Sequence, residues 1–147
     1  MGSVIEVNAK EIEQLAQKLN AYALSDAQTE KLLHWLGVEI TEQTKDRFDD
    51  ETDPEGNKWR KLTEAYAKRK AKKSCGGILV REGYMSKIIF QVNGGASVLV
   101  GSAMEYADYH QNAKKKNRLR RFLGLNNNNI AGLSDLIDEF MKGKAGG

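Results

Sequence analysis

The side chains that could do chemistry are few, and their spacing decides what they can do. The chain holds two histidines and one cysteine. Glu105, Asp108 and His110 stand close together and invite an acid–base reading. Ser102 and Glu105, however, have the spacing of a capping box, which assigns Glu105 to a helix start. Asp108 and His110 are two apart, and such residues do not face each other on a helix. His34 lies beside the apolar stripe of a long helical pattern, where a satisfied structural role is the expectation. Cys75 has basic neighbours able to lower its pKa, yet no histidine is adjacent in sequence. Two histidines and one cysteine do not make an ordinary zinc site without carboxylates from elsewhere. Gly94-Gly95 reads as a turn, with no phosphate-loop lysine and no dinucleotide fingerprint. The expectation is a non-enzyme with no catalytic site, no metal site and no cofactor.

Charge offers a second kind of chemistry. Lys114, Lys115, Lys116, Arg118, Arg120 and Arg121 form a dense basic run in a chain whose formal net charge is only +3. Such a run is a candidate for non-specific contact with double-stranded DNA or with an acidic protein surface. The plain alternative is a solvated loop. Phe122 is the single aromatic beside it, so there is no interleaved stacking platform. No helix-turn-helix or RNP-like pattern accompanies it.

The elements that must position these groups can be read in order. The chain has 147 residues, which suits one domain. Lone Cys75 excludes an internal disulfide and fits a reducing compartment. No apolar run approaches the ~20 residues of a membrane span, and no signal-peptide pattern opens the chain. A soluble intracellular protein, or one assembled inside a cell, is therefore expected. Val4 to Val7 reads as an edge strand or an extended arm. Asn8 with Glu11 has capping-box spacing, and Val7 with Ile12 that of a hydrophobic staple. Helical periodicity then runs to about Tyr22. Ser25 with Gln28 caps a second helix over 26–50, striped by Leu32, Leu33, Leu36, Ile40, Thr44 and Phe48, with Trp35 beside the stripe. Gly37 within it predicts close approach of another element, since glycine costs ~1 kcal/mol there relative to alanine. A third helix is expected from Leu62 to Lys73, ended by Cys75-Gly76-Gly77. The period then changes to two. Met85 to Asn93 and Ala96 to Gly101 predict a hairpin over about 85–101, turned at Asn93-Gly94-Gly95. A short helix follows Ser102, Leu119 to Leu125 offers a third strand, and Asn126 to Asn129 reads as a polar loop. Leu133, Leu136, Ile137, Phe140 and Met141 make a final amphipathic helix. The expected class is α+β: long N-terminal helices on a small antiparallel sheet, with a C-terminal helix. One domain covers 1–142, and 143–147 is expected to be a disordered tail.

The most legible local feature is Asp53-Pro54-Glu55-Gly56 with Trp59 three residues on. Pro54 sets φ at the second turn position, Gly56 suits the fourth, and Asp53 at the first is expected to bond the backbone two residues on. Pro54 also disfavours helical geometry at Asp53, so the long helix ends before it. Trp59 is expected as a packing anchor.

Three ordered pieces carry a resemblance. The first is Phe48…Asp53-Pro54-Glu55-Gly56…Trp59…Leu62. The second is Ile78-Leu79…Gly83-Tyr84-Met85 leading to Val98 and Val100-Gly101. The third is Tyr106-Ala107 and His110-Gln111, followed by Arg121-Phe122-Leu123-Gly124-Leu125. From about Glu30 to Met141 this order resembles the phage virion morphogenesis family, the tail-completion proteins of Mu-like and P2-like tailed phages. It departs at Asn112-Ala113, where a glycine is usual, and in lacking a proline near Arg121. The resemblance implies a structural, non-enzymatic virion protein assembled in the bacterial host cytoplasm. It also implies completion of the tail or head–tail junction, contact with tail and connector proteins, and self-association in a ring, commonly hexameric, with DNA in the lumen. On this reading Asp53, Pro54, Gly56, Trp59, Gly83, Tyr106, His110, Gln111, Arg121, Phe122, Leu123 and Gly124 are structural motif residues. The alternative is a small nucleic-acid-binding module using residues 114–121.

Overall fold

The computed structural model describes residues 3–59, 88–93, 95–102, 111 and 121–145. Along them run β1 (Ser3–Asn8), α1 (Glu13–Tyr22), α2 (Asp26–Asp50), β2 (Ile89–Asn93), β3 (Ser97–Ser102) and α3 (Asn127–Ala145). The described residues thus form three helices and a three-stranded antiparallel sheet of order β1-β3-β2. The α+β expectation holds. The expected helices at 62–73 and after Ser102 lie outside the described residues.

Strand β3 is central and is buried at nearly every residue, its terminal serines included. Val98 and Val100 are buried, with Val7 and Ile5 opposite them on β1 and Val92 and Phe90 on β2. This row faces α2. Ile89, one residue out of phase, stays 61% exposed, as the period of two requires. The third strand is β1, resolving the Val4–Val7 segment as an edge strand. Leu119 to Leu125 does not supply it: residues 121–126 form no strand. Their backbone is satisfied by side chains instead, as shown below.

Helix α2 begins as its sequence requires. Ser25 Oγ accepts from the Gln28 N–H, and the Gln28 side chain accepts from the Ser25 N–H. It ends before the proline turn, at Glu51 in a left-handed conformation (φ 57°) whose N–H donates to the Arg47 carbonyl. α2 packs on β2 and β3 and also against α3, while α1 packs on α3. Gly37 meets the sheet. A Cβ there would lie 2.3 Å from Cδ2 of Phe90. An alanine would force that ring aside, an overpacking cost of about 1–3 kcal/mol set against a helix-propensity gain of ~1 kcal/mol.

Two local expectations are corrected. Asn8 is not a helix N-cap. Its Oδ1 accepts from the Lys10 N–H and its carbonyl from Glu11, so it turns the chain out of β1. Helix α1 starts later, with Ile12 at the N-cap position and no side-chain cap. Asn126 to Asn129 is not simply a loop. Asn126 Oδ1 accepts from the Asn129 N–H and Asn129 Oδ1 from the Asn126 N–H, a reciprocal cap on α3. That helix is assigned through Ala145, overlapping the start of the tail expected from 143. At the far end, Lys18 Nζ and Tyr22 Oη both donate to Asp138, tying α1 to α3. These two bonds hold the Asp138 carboxyl below the usual carboxylate range.

Candidate functional site: a joint built from the ordered motifs

The hairpin 51–59 grows directly from the end of α2. Thr52 bridges Lys58, and the Trp59 N–H donates to the Glu51 carbonyl. The Gly56 N–H donates to the Asp53 carbonyl, closing the Asp-Pro-Glu-Gly turn. Asp53 Oδ1 accepts from the Asn57 N–H, four residues on rather than two. Trp59 is delivered to the core at 5% exposure, edge-on to Phe48 with ring centroids 5.4 Å apart. Phe122 is wholly buried on the same Phe48, at 5.3 Å.

The hairpin and residues 121–126 are bound to each other through backbone groups of one and side chains of the other. Trp59 Nε1 donates to the Arg121 carbonyl at 2.8 Å. Asn126 Nδ2 donates to the Pro54 carbonyl at 2.8 Å. Gly124 adopts φ 147°, and a Cβ there would lie 2.9 Å from Cγ of the buried Pro54. Only glycine suits both the conformation and the contact. Arg121 pairs with Glu55 and stands 3.9 Å from Asp53. This pair is solvent-accessible on both sides, so its worth is about 0–1 kcal/mol.

Arg47, on the last turn of α2, sits beneath this contact and is only 5% exposed. Its Nη1 donates to the Phe122 carbonyl at 2.7 Å and its Nη2 to Asn129 Oδ1 at 2.6 Å. Burial lowers its pKa, opposed by the charges of Glu55, Asp53 and Asp46. An arginine nonetheless stays protonated, so the joint holds a buried cation met by neutral oxygens. The planar fork lets one side chain bind a loop carbonyl and a helix cap together. Gln111 completes the set: Oε1 accepts from the Phe122 and Leu123 N–H groups, and Nε2 donates to the Leu123 carbonyl.

Of the motif residues, Asp53, Pro54, Gly56, Trp59, Gln111, Arg121, Phe122, Leu123 and Gly124 therefore meet in one place. Gly83, Tyr106 and His110 lie outside the described residues, as do Lys114, Lys115, Lys116, Arg118 and Arg120. So do Glu105, Asp108 and Cys75. Arg121, counted in the basic run, is engaged by Glu55 at the joint. His34 packs edge-on to Phe90 with centroids 6.0 Å apart. Among the described residues no group of three His, Cys, Asp or Glu could hold a metal ion, and no helix is long and apolar enough to cross a membrane. Sequence reasoning missed Arg47, Asn126 and Asn129. The one available signal was the Asn126–Asn129 spacing, which is that of a reciprocal cap.

The joint defines a structural element of an α+β protein: it fixes where a hairpin, a loop and two helix ends lie. The comparison with family models agrees with that class. The model of the phage virion morphogenesis family matches residues 7–142, and the chain belongs to that family. It is accordingly a virion-associated protein of a structural, virion-assembly family. No curated protein and no solved structure matches it.

Proposed function

We propose that this protein completes the phage tail or the head–tail junction by self-associating as a ring. It is assembled in the host cytoplasm, contacts tail and connector proteins, and does no catalysis. The observation that supports this reading most strongly is the family match over 7–142, together with the way its ordered motifs fold into one joint. Motif residues that bind one another contribute shape, which is what a ring subunit must present. The basic run 114–121 faces double-stranded DNA in this reading, through weak contacts indifferent to sequence.

Light scattering on the purified protein, followed by electron microscopy after mixing with tails that lack it, tests the proposal. Added ring density at the tail end is the expected result. Tails that bind no protein over a range of concentrations would overturn it.

A further inference from the structure

The described sheet ends in two edges that run the same way. β1 and β2 both lie antiparallel to β3, so they are parallel to each other. Backbone alternation says which residues face each edge. The Ala9 N–H donates to the Ala96 carbonyl, continuing the β1–β3 register, so Val7 and Ile5 also turn their N–H and C=O groups to β3. Val4 and Glu6 therefore turn theirs out of the sheet. By the same alternation Ser97, Leu99 and Gly101 bond Asn93, Gln91 and Ile89, which leaves Phe90 and Val92 facing out of the β2 edge. Among the described residues no backbone group bonds these four from outside the sheet. Edges are usually protected by charges or proline. Here Glu6 is the one charge in the two strands, and neither holds a proline.

The two edges fit each other. Let β1 of one copy run parallel to β2 of the next, with the faces of the sheet continuous. Each residue whose backbone turns out then sits opposite one whose backbone turns in. In one such register Val4 falls opposite the next copy's Ile89 and Glu6 opposite its Gln91. The Glu6 N–H then donates to the Phe90 carbonyl of that copy, and its Phe90 and Val92 N–H groups donate to the carbonyls of Val4 and Glu6. Val4 is 59% exposed and Ile89 61%, and both side chains lie on the face away from α2, so they cover each other. The Glu6 carboxylate, already accepting from Ser97 Oγ, meets an amide donor. Pairing β1 with a second β1 at Glu6 would instead set two carboxylates against each other.

We propose that copies of this chain join edge to edge, β1 of one beside β2 of the next, with Val4 against Ile89 and Glu6 against Gln91. The inference rests on the ring reading above and names its interface. A contact between two different edges is heterologous, and a rotation about an axis near the strand direction keeps both strand direction and sheet face, as a closed ring requires.

Val4→Cys and Ile89→Cys are made separately in the full Cys75→Ser chain. They are oxidised alone and as an equal mixture, in solution at rising concentration and on tails lacking the protein. Within one chain positions 4 and 89 lie two strand spacings apart, about 10 Å, beyond the ~7 Å between Cα atoms that a disulfide spans. A bond between them therefore reports on two copies. Val38→Cys, on α2 and 52% exposed, is mixed with Val4→Cys to give the rate of chance collision. All three sites are exposed, so the melting temperatures should match that of the parent. A disulfide-linked dimer is expected in the mixture, with little from either protein alone. A mixture that links no faster than chance collision would overturn the edge pairing, and so would Val4→Cys linking to itself as readily as to Ile89→Cys. Ring density on tails without the crosslink overturns the edge pairing and leaves the ring reading standing. Crosslinked dimers with no density on tails do the reverse.

Discussion

Trp59→Ala is expected to lower stability by about 3–5 kcal/mol. In a chain of this size that is a fall in melting temperature on the order of 10 °C. Three losses combine. The indole is 5% exposed, so nearly its whole surface leaves the core. Its edge-on contact with Phe48 goes, which is worth about 0.5–1.5 kcal/mol beyond area. The Arg121 carbonyl loses the Nε1 donor. Trp59→Phe separates these effects, because it keeps an aromatic ring and loses only the donor and some volume. It should cost about 1–2 kcal/mol. Thermal unfolding of the three proteins decides the matter, and an unchanged melting temperature for Trp59→Ala would contradict this placement of the anchor.

Arg47→Met is expected to cost about 2–4 kcal/mol. The methionine fills similar space without donors. The Phe122 carbonyl, beside a wholly buried ring, then loses the Nη1 bond. Asn129 Oδ1 loses Nη2 but keeps the Asn126 N–H. Removing a buried cation returns part of the desolvation cost, which is why the estimate stays below the sum of two broken charged bonds. Arg47→Lys should not restore stability, since a single ammonium cannot reproduce the fork that reaches loop and cap together. Chemical unfolding midpoints give the test. A lysine variant as stable as the wild type would show that charge alone matters there.

Legibility in the sequence followed the range of the forces involved. The Ser25–Gln28 capping box, the 26–50 span and the apolar stripe are set by residues within four positions of one another, and they were readable. The cost of Gly37 pointed correctly to a close neighbour, although only the structure shows that it is Phe90. Trp59 read correctly as an anchor, because a rigid turn followed by a large apolar side chain leaves few other uses. The third strand was only partly readable: Val4–Val7 was open as an edge strand or an arm, with Leu119–Leu125 as a rival. Both Val4–Val7 and Leu119–Leu125 are short apolar segments, and local pattern does not say which pairs with the free edge of β3. The second segment is taken out of contention by Arg47, Trp59 and Gln111, all remote or separated in sequence, whose side chains satisfy its backbone. Arg47 itself was invisible for a related reason: a cation on the last turn of a helix fits an ordinary surface role. Asn8 illustrates a local ambiguity, since the same side chain serves an Asx turn or an N-cap.

Among the motif residues, the structure turns an ordered list into a shape. The turn at Asp53-Pro54-Glu55-Gly56, the Arg121-Phe122-Leu123-Gly124 segment and Gln111 are far apart in sequence and adjacent in space. Each contributes a group that another needs.

The measurement that bears most directly on the proposed role is deletion of the gene from a phage or inducible prophage carrying it, with electron microscopy and plaque assay of the resulting lysate. The account predicts heads and tails that fail to join productively, and recovery when the wild-type protein is supplied in trans. Normal, infectious particles from the deletion would contradict it.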